Sequence, residues 1–350
     1  MEDLARQALE RCLATVPFAS LEAAPSYKNE ERGPDLLTRL RLPAGERLLL
    51  VEVKNNGEPR RAREALNQIF RYRERYPGAY GLFIAPYISP RAATLCEEEG
   101  VGYLDLAGNC RIAFDQIYIR EGGHPNPYAQ KRPLRSLYAP KAERVLRVLL
   151  TQPARRWKVQ ELAGEAGVSL GQAAKVKALL TDREWIATEA EGLTLRDPPA
   201  LLNEWAENYQ YRRSEIREFY SLQSVAEIEN AIGTAGRETG MRYALTGFSG
   251  AARLAPFVRY QKAAAYVATA EELETLAERL GLKPVTSGAN VSLLLPYDAG
   301  VFYAAQDREG VQITTPIQCY LDAQSLAGRG KEAAEAIWRE ALQPQWRTKT

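Results

Sequence analysis

Apolar residues recur along the first 120 positions in two rhythms. Residues 2–15 place Leu4, Ala8 and Leu13 among the apolar positions of one amphipathic helix. Residues 34–42 (PDLLTRLRL) end in the alternation of a half-buried strand. Pro43-Ala44-Gly45-Glu46 supplies a turn. Leu48-Leu49-Leu50-Val51-Glu52-Val53-Lys54 is apolar almost to its end, as a central strand would be. Asn55-Asn56-Gly57 breaks the chain. A helix is predicted over residues 59–75, a strand over 80–85 and a short helix over 90–99 ended by Gly100. Two further strands flank Asp105–Asn109.

The remaining chain divides by composition. Residues 121–138 are rich in Gly, Pro and basic residues and read as a linker. Residues 139–197 read as a small helical module closed by a short hairpin, and residues 200–350 as an α+β domain. The expected fold class is therefore α/β and multidomain, with an α/β domain over 1–120. Its 350 residues are enough for two or three domains of ordinary size.

Composition narrows the chemistry. Hydrophobic residues make up 45% and charged residues 26%, as in a folded chain, and the net charge of +2 gives no global basic field. A nucleic-acid surface must then be a local patch. Cys12, Cys96, Cys110 and Cys319 show no paired Cys-x-x-Cys spacing, which argues against a structural zinc and fits a reducing cytoplasm. The N-terminus lacks the apolar stretch of a signal peptide, and no run of about 18 apolar residues exists. A cytoplasmic protein without membrane partners is expected. The single histidine, His124, sits among Gly122, Gly123, Pro125 and Pro127 and reads as a loop residue. Any catalysis must rest on carboxylates, lysine and metal.

Such a constellation exists. Glu52 and Lys54 are two apart on a strand and so share a face, one that would otherwise be core. A charged pair there costs free energy unless it meets partners. A hairpin with the preceding strand brings Asp35 beside Glu52. Two close carboxylates repel unless a cation lies between them, and Mg²⁺ or Mn²⁺ suits such oxygen donors, with the Val53 carbonyl as a further ligand. Lys54 would orient a water or stabilise charge on the phosphate. A competing view makes Asp35 a turn cap and Glu52–Lys54 a surface pair on an edge strand.

Pro34-Asp35, a gap of sixteen residues, and Glu52-Val53-Lys54 resemble the PD-(D/E)XK, restriction-endonuclease-like nuclease superfamily, and the order of elements over residues 1–120 is similar. That resemblance implies a metal-dependent endonuclease or exonuclease acting on DNA. It also implies a supporting role for Gln68 on the following helix, and an added metal ligand from the first helix, Glu10 or alternatively Glu22. A member that keeps the fold, loses catalysis and only binds is the other outcome. The helix over 59–75 carries Arg60, Arg61, Arg63, Arg71, Arg73 and Arg75 among Glu58, Glu64 and Glu74. It suits either phosphate tracking or a solvated face of charge pairs.

Residues 141–150, 157–165 and 170–182 read as three helices, with a turn at Ala166-Gly167-Val168-Ser169 and a hairpin around Glu191-Gly192. This is similar to a winged helix-turn-helix, whose helix after the turn enters the major groove. Ser169, Gln172, Lys175 and Lys177 are then candidate DNA contacts, and Arg155 and Arg156 candidate phosphate contacts. Thr246-Gly247-Phe248-Ser249-Gly250 before a helix hints at a nucleotidyltransferase. The next strand, Ala263–Val267, lacks the acidic pair such enzymes need, so a degenerate nucleotidyltransferase-like domain is expected. That turn, with residues 316–322 and 328–334, resembles AbiEi-type antitoxins and transcriptional regulators over about residues 140–350. The resemblance implies operon repression, phage defence, and a cognate toxin or other partner protein. Paired cuts and palindromic sites would suit a homodimer. Two functions stay open: a DNase positioned by its winged helix, or a repressor that binds DNA without cutting it.

Overall fold

The computed structural model of the chain describes residues 1–23, 33–128, 137–255 and 260–347. Two compact units emerge: residues 1–131 with 181–184, and residues 132–180 with 185–350. Residues 129–136 of the expected linker lie outside the described residues.

The first unit is one seven-stranded mixed sheet with helices on both faces. Its elements are α1 (Glu2–Leu13), β1 (Ser20–Ala23), β2 (Leu36–Leu42), β3 (Gly45–Val53), α2 (Pro59–Arg75), β4 (Tyr80–Ala85), α3 (Pro90–Glu98), β5 (Gly102–Asp105), β6 (Cys110–Phe114) and β7 (Ile117–Glu121). The strands lie side by side in chain order. β1, β2 and β3 form an antiparallel meander, and β5, β6 and β7 another. Between them, β3, β4 and β5 run parallel, with α2 and α3 as crossovers. That arrangement explains why β4, Tyr-Gly-Leu-Phe-Ile-Ala, is buried from end to end. β1 and β7 were not expected. Each is short, and β7 alternates only weakly between buried and exposed positions.

The two faces have separate cores. Val51, Leu82 and Leu104 pack with Ala5, Ala8, Leu9 and Leu13 of α1. Phe83 and Tyr103 pack with Ala62, Ala65, Leu66 and Ile69 of α2 and with Ala92 and Cys96 of α3. A Cβ on Gly81 would sit 2.3 Å from the Ile69 side chain, so the missing side chain lets α2 settle on β4. At the C-terminal ends of β4 and β5, the buried Asp105 carboxylate accepts N–H bonds from Ile88 (3.2 Å), Ala107 (3.0 Å) and Asn109 (2.9 Å). It thereby fixes the loops at the end of the sheet where β3 also finishes.

The second unit begins with three helices, α4 (Pro140–Thr151), α5 (Val159–Glu165) and α6 (Leu170–Asp182), and the hairpin β8 (Ile186–Glu189) and β9 (Gly192–Leu195). Trp157, expected to open the second helix, is instead extended. Its N–H and carbonyl exchange bonds of 2.9 Å with Leu193, and its ring is 1% exposed, so packing sets its backbone rather than helical propensity.

After α7 (Pro198–Asn208) comes a second seven-stranded sheet. Its strands are β10 (Glu215–Tyr220), β11 (Tyr243–Leu245), β12 (Ala263–Val267), β13 (Lys283–Pro284), β14 (Val291–Leu295), β15 (Gln306–Arg308) and β16 (Val311–Ile313). Their order is β13-β10-β14-β12-β11-β16-β15. One face carries α8 (Val225–Thr239) and α10 (Ala270–Arg279), packed through Ile228, Ile232, Leu273 and Leu276. The other face meets α9 (Gly247–Leu254), α11 (Pro316–Ser325) and α12 (Gly330–Ile337). A single apolar cluster runs from Leu137 through Trp157, Leu180, Trp205 and Tyr266 to Leu342. The three-helix module and the sheet therefore share one core, although their sequences read as separate domains.

A buried polar network lies inside that core. The Asp322 carboxylate accepts from Tyr209 (2.6 Å), Gln318 (2.9 Å), Tyr266 (3.1 Å) and the Thr246 hydroxyl. The Gln318 side-chain carbonyl in turn accepts from Arg147 at 2.6 and 3.1 Å. Glu143, one turn before Arg147, accepts from Arg213 at 3.2 Å and from Tyr297. Burial pushes the Asp322 carboxyl up to about 6, against four hydrogen bonds that favour its charged form. Nothing in the local periodicity of these residues signalled the network.

Candidate metal and nucleic-acid site

β2 and β3 pair with Leu36 opposite Val51, so the next step along the ladder sets Asp35 at the mouth of the hairpin beside Glu52. The Asp35 carboxylate accepts the Val53 N–H at 2.7 Å, which locks the turn before β2 onto the end of β3. Asp35 itself precedes the strand that was expected to contain it. Glu52 points to the face covered by α2. Its cross-strand neighbour Phe83 belongs to that core, and Glu52 is 1% exposed.

Lys54 extends the same row. Its Nζ donates to Glu52 Oε2 at 2.6 Å and to Gln68 Oε1 at 2.5 Å. Gln68 reaches it from the inward side of α2. The surface-pair view does not survive this geometry, because Glu52 is buried and β3 lies inside the sheet, between β2 and β4. Burial raises the Glu52 carboxyl to about 7. The nearby Asp35 charge adds to the rise, while Lys54 opposes it.

Tyr72 was missed in the sequence. It lies one turn after Gln68 on α2, and its hydroxyl donates to the Gly33 carbonyl at 2.9 Å, just before Pro34-Asp35. Burial raises its own hydroxyl, and the charges of Glu52 and Asp35 raise it further. The i, i+4 spacing from Gln68 was the available signal.

Glu10 does not join this cluster. It is an exposed residue of α1, whose buried residues pack against the opposite face of the sheet. Glu22 pairs with Arg41 at 2.7 Å. Among the described residues no group of three or more His, Cys, Asp or Glu comes together. The acidic set is therefore two carboxylates, with the Val53 main chain between Glu52 and Lys54. This donor set still fits a hard divalent cation. Mg²⁺ is commonly held by one or two carboxylates, with waters and substrate phosphate completing its shell. A buried Glu52 crowded by Asp35 is also a place where added positive charge relieves repulsion.

His124 lies outside this chemistry. Its main-chain N–H and carbonyl are bound by the Asn109 side chain at 2.9 and 3.1 Å, which staples the loop after β7. On α2, Arg61 meets Glu64 at 2.7 Å and Arg73 stacks near Phe70, so part of the arginine-rich face is internally paired.

In the second unit, Arg155 lies 3.7 Å over the Trp157 ring. Arg156 pairs with Glu189 (3.2 Å) and Glu191 (3.3 Å) of the hairpin. The Ser169 hydroxyl accepts the Gln172 N–H at 3.2 Å and so caps α6. Gln172 and Lys175 lie on one shoulder of α6 and Lys177 on the other, around an exposed stripe of Gly171, Ala174 and Ala178. The three candidates on α6 thus do not share one face, and Ser169 precedes the helix.

The domain after the hairpin is a mixed sheet with helices on both faces, and a family model matches it. Residues 194–343 match the family model described as transcriptional regulator, AbiEi antitoxin, type IV TA system. Two solved structures are also similar. EndoMS in its apo form is 20% identical over 28% of this chain and 43% of its own, with a TM-score of 0.18. The EndoMS–dsDNA2 complex is 19% identical over 28% of this chain and 42% of its own, with a TM-score of 0.21. The chain thus spans less than half the length of either EndoMS chain. No curated protein matches the chain. No helix among the described residues is long and apolar enough to cross a membrane.

Proposed function

We propose that the first unit is a PD-(D/E)XK-type, metal-dependent deoxyribonuclease. The observation that carries this reading is the buried Glu52, set beside Asp35 and tied through Lys54 to Gln68. The helix, three-strand meander, helix and parallel strand around that cluster support it. Asp35, Glu52 and the Val53 carbonyl would hold Mg²⁺ or Mn²⁺. Such an ion, when bound, supplies Lewis acidity toward the scissile phosphate and lowers the pKa of a coordinated water.

The chain's own groups do the rest. Asp35 is fixed by the Val53 N–H, so its carboxylate needs little reorganisation. An ammonium has three donors, and Lys54 spends two on Glu52 and Gln68. Its third is directed by those two anchors and serves a phosphate oxygen or the attacking water. Gln68 accepts from Lys54 and keeps the ammonium from folding wholly onto Glu52. Tyr72 holds the Gly33–Asp35 turn against α2.

We read residues 139–197 as a winged helix-turn-helix and residues 200–350 as a degenerate nucleotidyltransferase-like domain. On this reading Arg155 and Arg156 meet phosphates, and Gln172 and Lys175 approach bases. The stripe of Gly171, Ala174 and Ala178 allows close approach of α6 to DNA with little base-specific readout. The partner is therefore DNA, bound mainly through its backbone.

The test is cleavage of plasmid and single-stranded DNA with Mg²⁺ or Mn²⁺ and with chelator. Wild-type protein should cut only with metal, and Lys54→Ala should slow cutting by about a hundredfold or more. Glu52→Ala should abolish it. DNA binding without metal-stimulated cleavage would overturn the nuclease reading. The family match over residues 194–343 favours a second reading in that case, an AbiEi-type repressor that binds its own upstream region. Gel shifts on that region, lost on changing Gln172 and Lys175, would then be the signature.

A further inference from the structure

The four cysteines are far apart in sequence, yet the fold brings two of them together. Cys12, near the end of α1, and Cys110, the first residue of β6, are separated by 98 positions, and their sulfurs lie 3.8 Å apart. Cys12 is half-exposed and Cys110 is 1% exposed. We propose that this pair is an oxidative modification site, a dithiol that hydrogen peroxide closes to a disulfide bridging α1 and β6.

Both frames are rigid. Ala5, Ala8, Leu9 and Leu13 anchor α1, and Cys110 and Ile112 lie in the same apolar cluster. A disulfide needs its sulfurs about 2.05 Å apart, so the pair must close by about 1.8 Å. The Cys12 thiol donates a hydrogen bond to Cys110 sulfur. That bond lowers the Cys110 thiol and raises that of Cys12, so Cys110 loses its proton first and the remaining proton is held between the two sulfurs. Cys12 gives access from solvent, and Cys110 offers the better-stabilised thiolate.

The chemistry balances with the peroxide as the oxidant. One sulfur, as thiolate, attacks a peroxide oxygen and breaks the O–O bond, leaving a sulfenic acid and a hydroxide that takes up a proton. The second sulfur attacks the sulfenic sulfur and expels hydroxide, which is protonated to water. Two thiols and one peroxide give one disulfide and two waters. Either sulfur can be oxidised first with the same product, and cellular thiols reverse it.

Cys96 and Cys319 are buried at 0% exposure and serve as internal controls. The full chain, freed of reductant, is treated with hydrogen peroxide, digested without reduction and mapped by mass spectrometry. A cross-linked peptide containing residues 12 and 110, lighter by two hydrogens than its free halves, is expected. Two of the four thiols should be lost to alkylation, and both should return with dithiothreitol. Oxidation should raise the melting temperature of wild type and leave that of Cys12→Ser unmoved. Cys12→Ser changes a half-exposed side chain and keeps the fold, whereas Cys110→Ser would place a hydroxyl inside the apolar cluster. All four thiols remaining alkylatable, or Cys12 passing to the sulfinic acid without a cross-link, would overturn the proposal.

Discussion

Replacing Glu52 by Gln should make the protein more stable at alkaline pH, although Glu52 is the residue on which the proposed chemistry depends. Its carboxyl is raised from 4.5 to about 7, first by burial and then by the Asp35 charge. Between those values the native state holds a proton that the unfolded chain has released. Raising the pH through this window therefore favours unfolding. Stability from the neutral acid is complete below about 4.5 and is lost as pH rises through about 7. At 1.36 kcal/mol per unit, the cost of the buried charge above that window is about 3 kcal/mol. Gln keeps the shape and an acceptor for Lys54 but cannot ionise. Urea unfolding in chelator should show the variant up to about 3 kcal/mol more stable at about pH 8 and equal to wild type at about pH 4.5. Divalent metal should narrow the gap at high pH, because two carboxylates gain a counter-ion that Gln cannot bind as well. A gain independent of pH, or a loss at pH 8, would refute the reasoning.

Further outcomes follow from packing. A Cβ at Gly57 would lie 2.2 Å from the Tyr87 carbonyl and 2.6 Å from Ile88 Cα, so Gly57→Ala should cost about 1–3 kcal/mol in thermal or urea unfolding. It should also slow cleavage, because Gly57 anchors the loop three residues after Lys54. Asp322→Ala strands the hydroxyls of Tyr209, Tyr266 and Thr246 and one Gln318 donor, and should cost about 3 kcal/mol or more; Asp322→Asn should recover part of that in the same melt. Arg156 is half-exposed and its pairs with Glu189 and Glu191 are screened, so Arg156→Ala should move stability by under about 1 kcal/mol. The same change should weaken DNA binding uniformly across sequences and lower the salt slope by about one, read by anisotropy at several salt concentrations.

The sequence alone determined the candidate chemistry. Glu52 and Lys54 had to share a face because strand side chains alternate, and a turn at Pro43–Glu46 had to return Asp35 toward them. The apolar run of β3 determined a central strand, and the turn and hairpin residues delimited the three helices and hairpin of residues 139–197. These are local consequences of periodicity and turn chemistry. Tertiary structure decided everything that depends on which faces meet. Glu10 belongs to a helix on the wrong side of the sheet, which no pattern within α1 reveals. Gln68, named from the sequence only through a family resemblance, met Lys54, and Tyr72 met the Gly33 carbonyl, through the packing of α2. The three-helix module merged with the sheet because Leu137, Trp157 and Trp205 were buried in one core. The Asp322 network formed between segments more than fifty positions apart. Cys12 and Cys110 met across 98 positions, since closure of that span is enforced by the packing of α1 on the sheet and by nothing local.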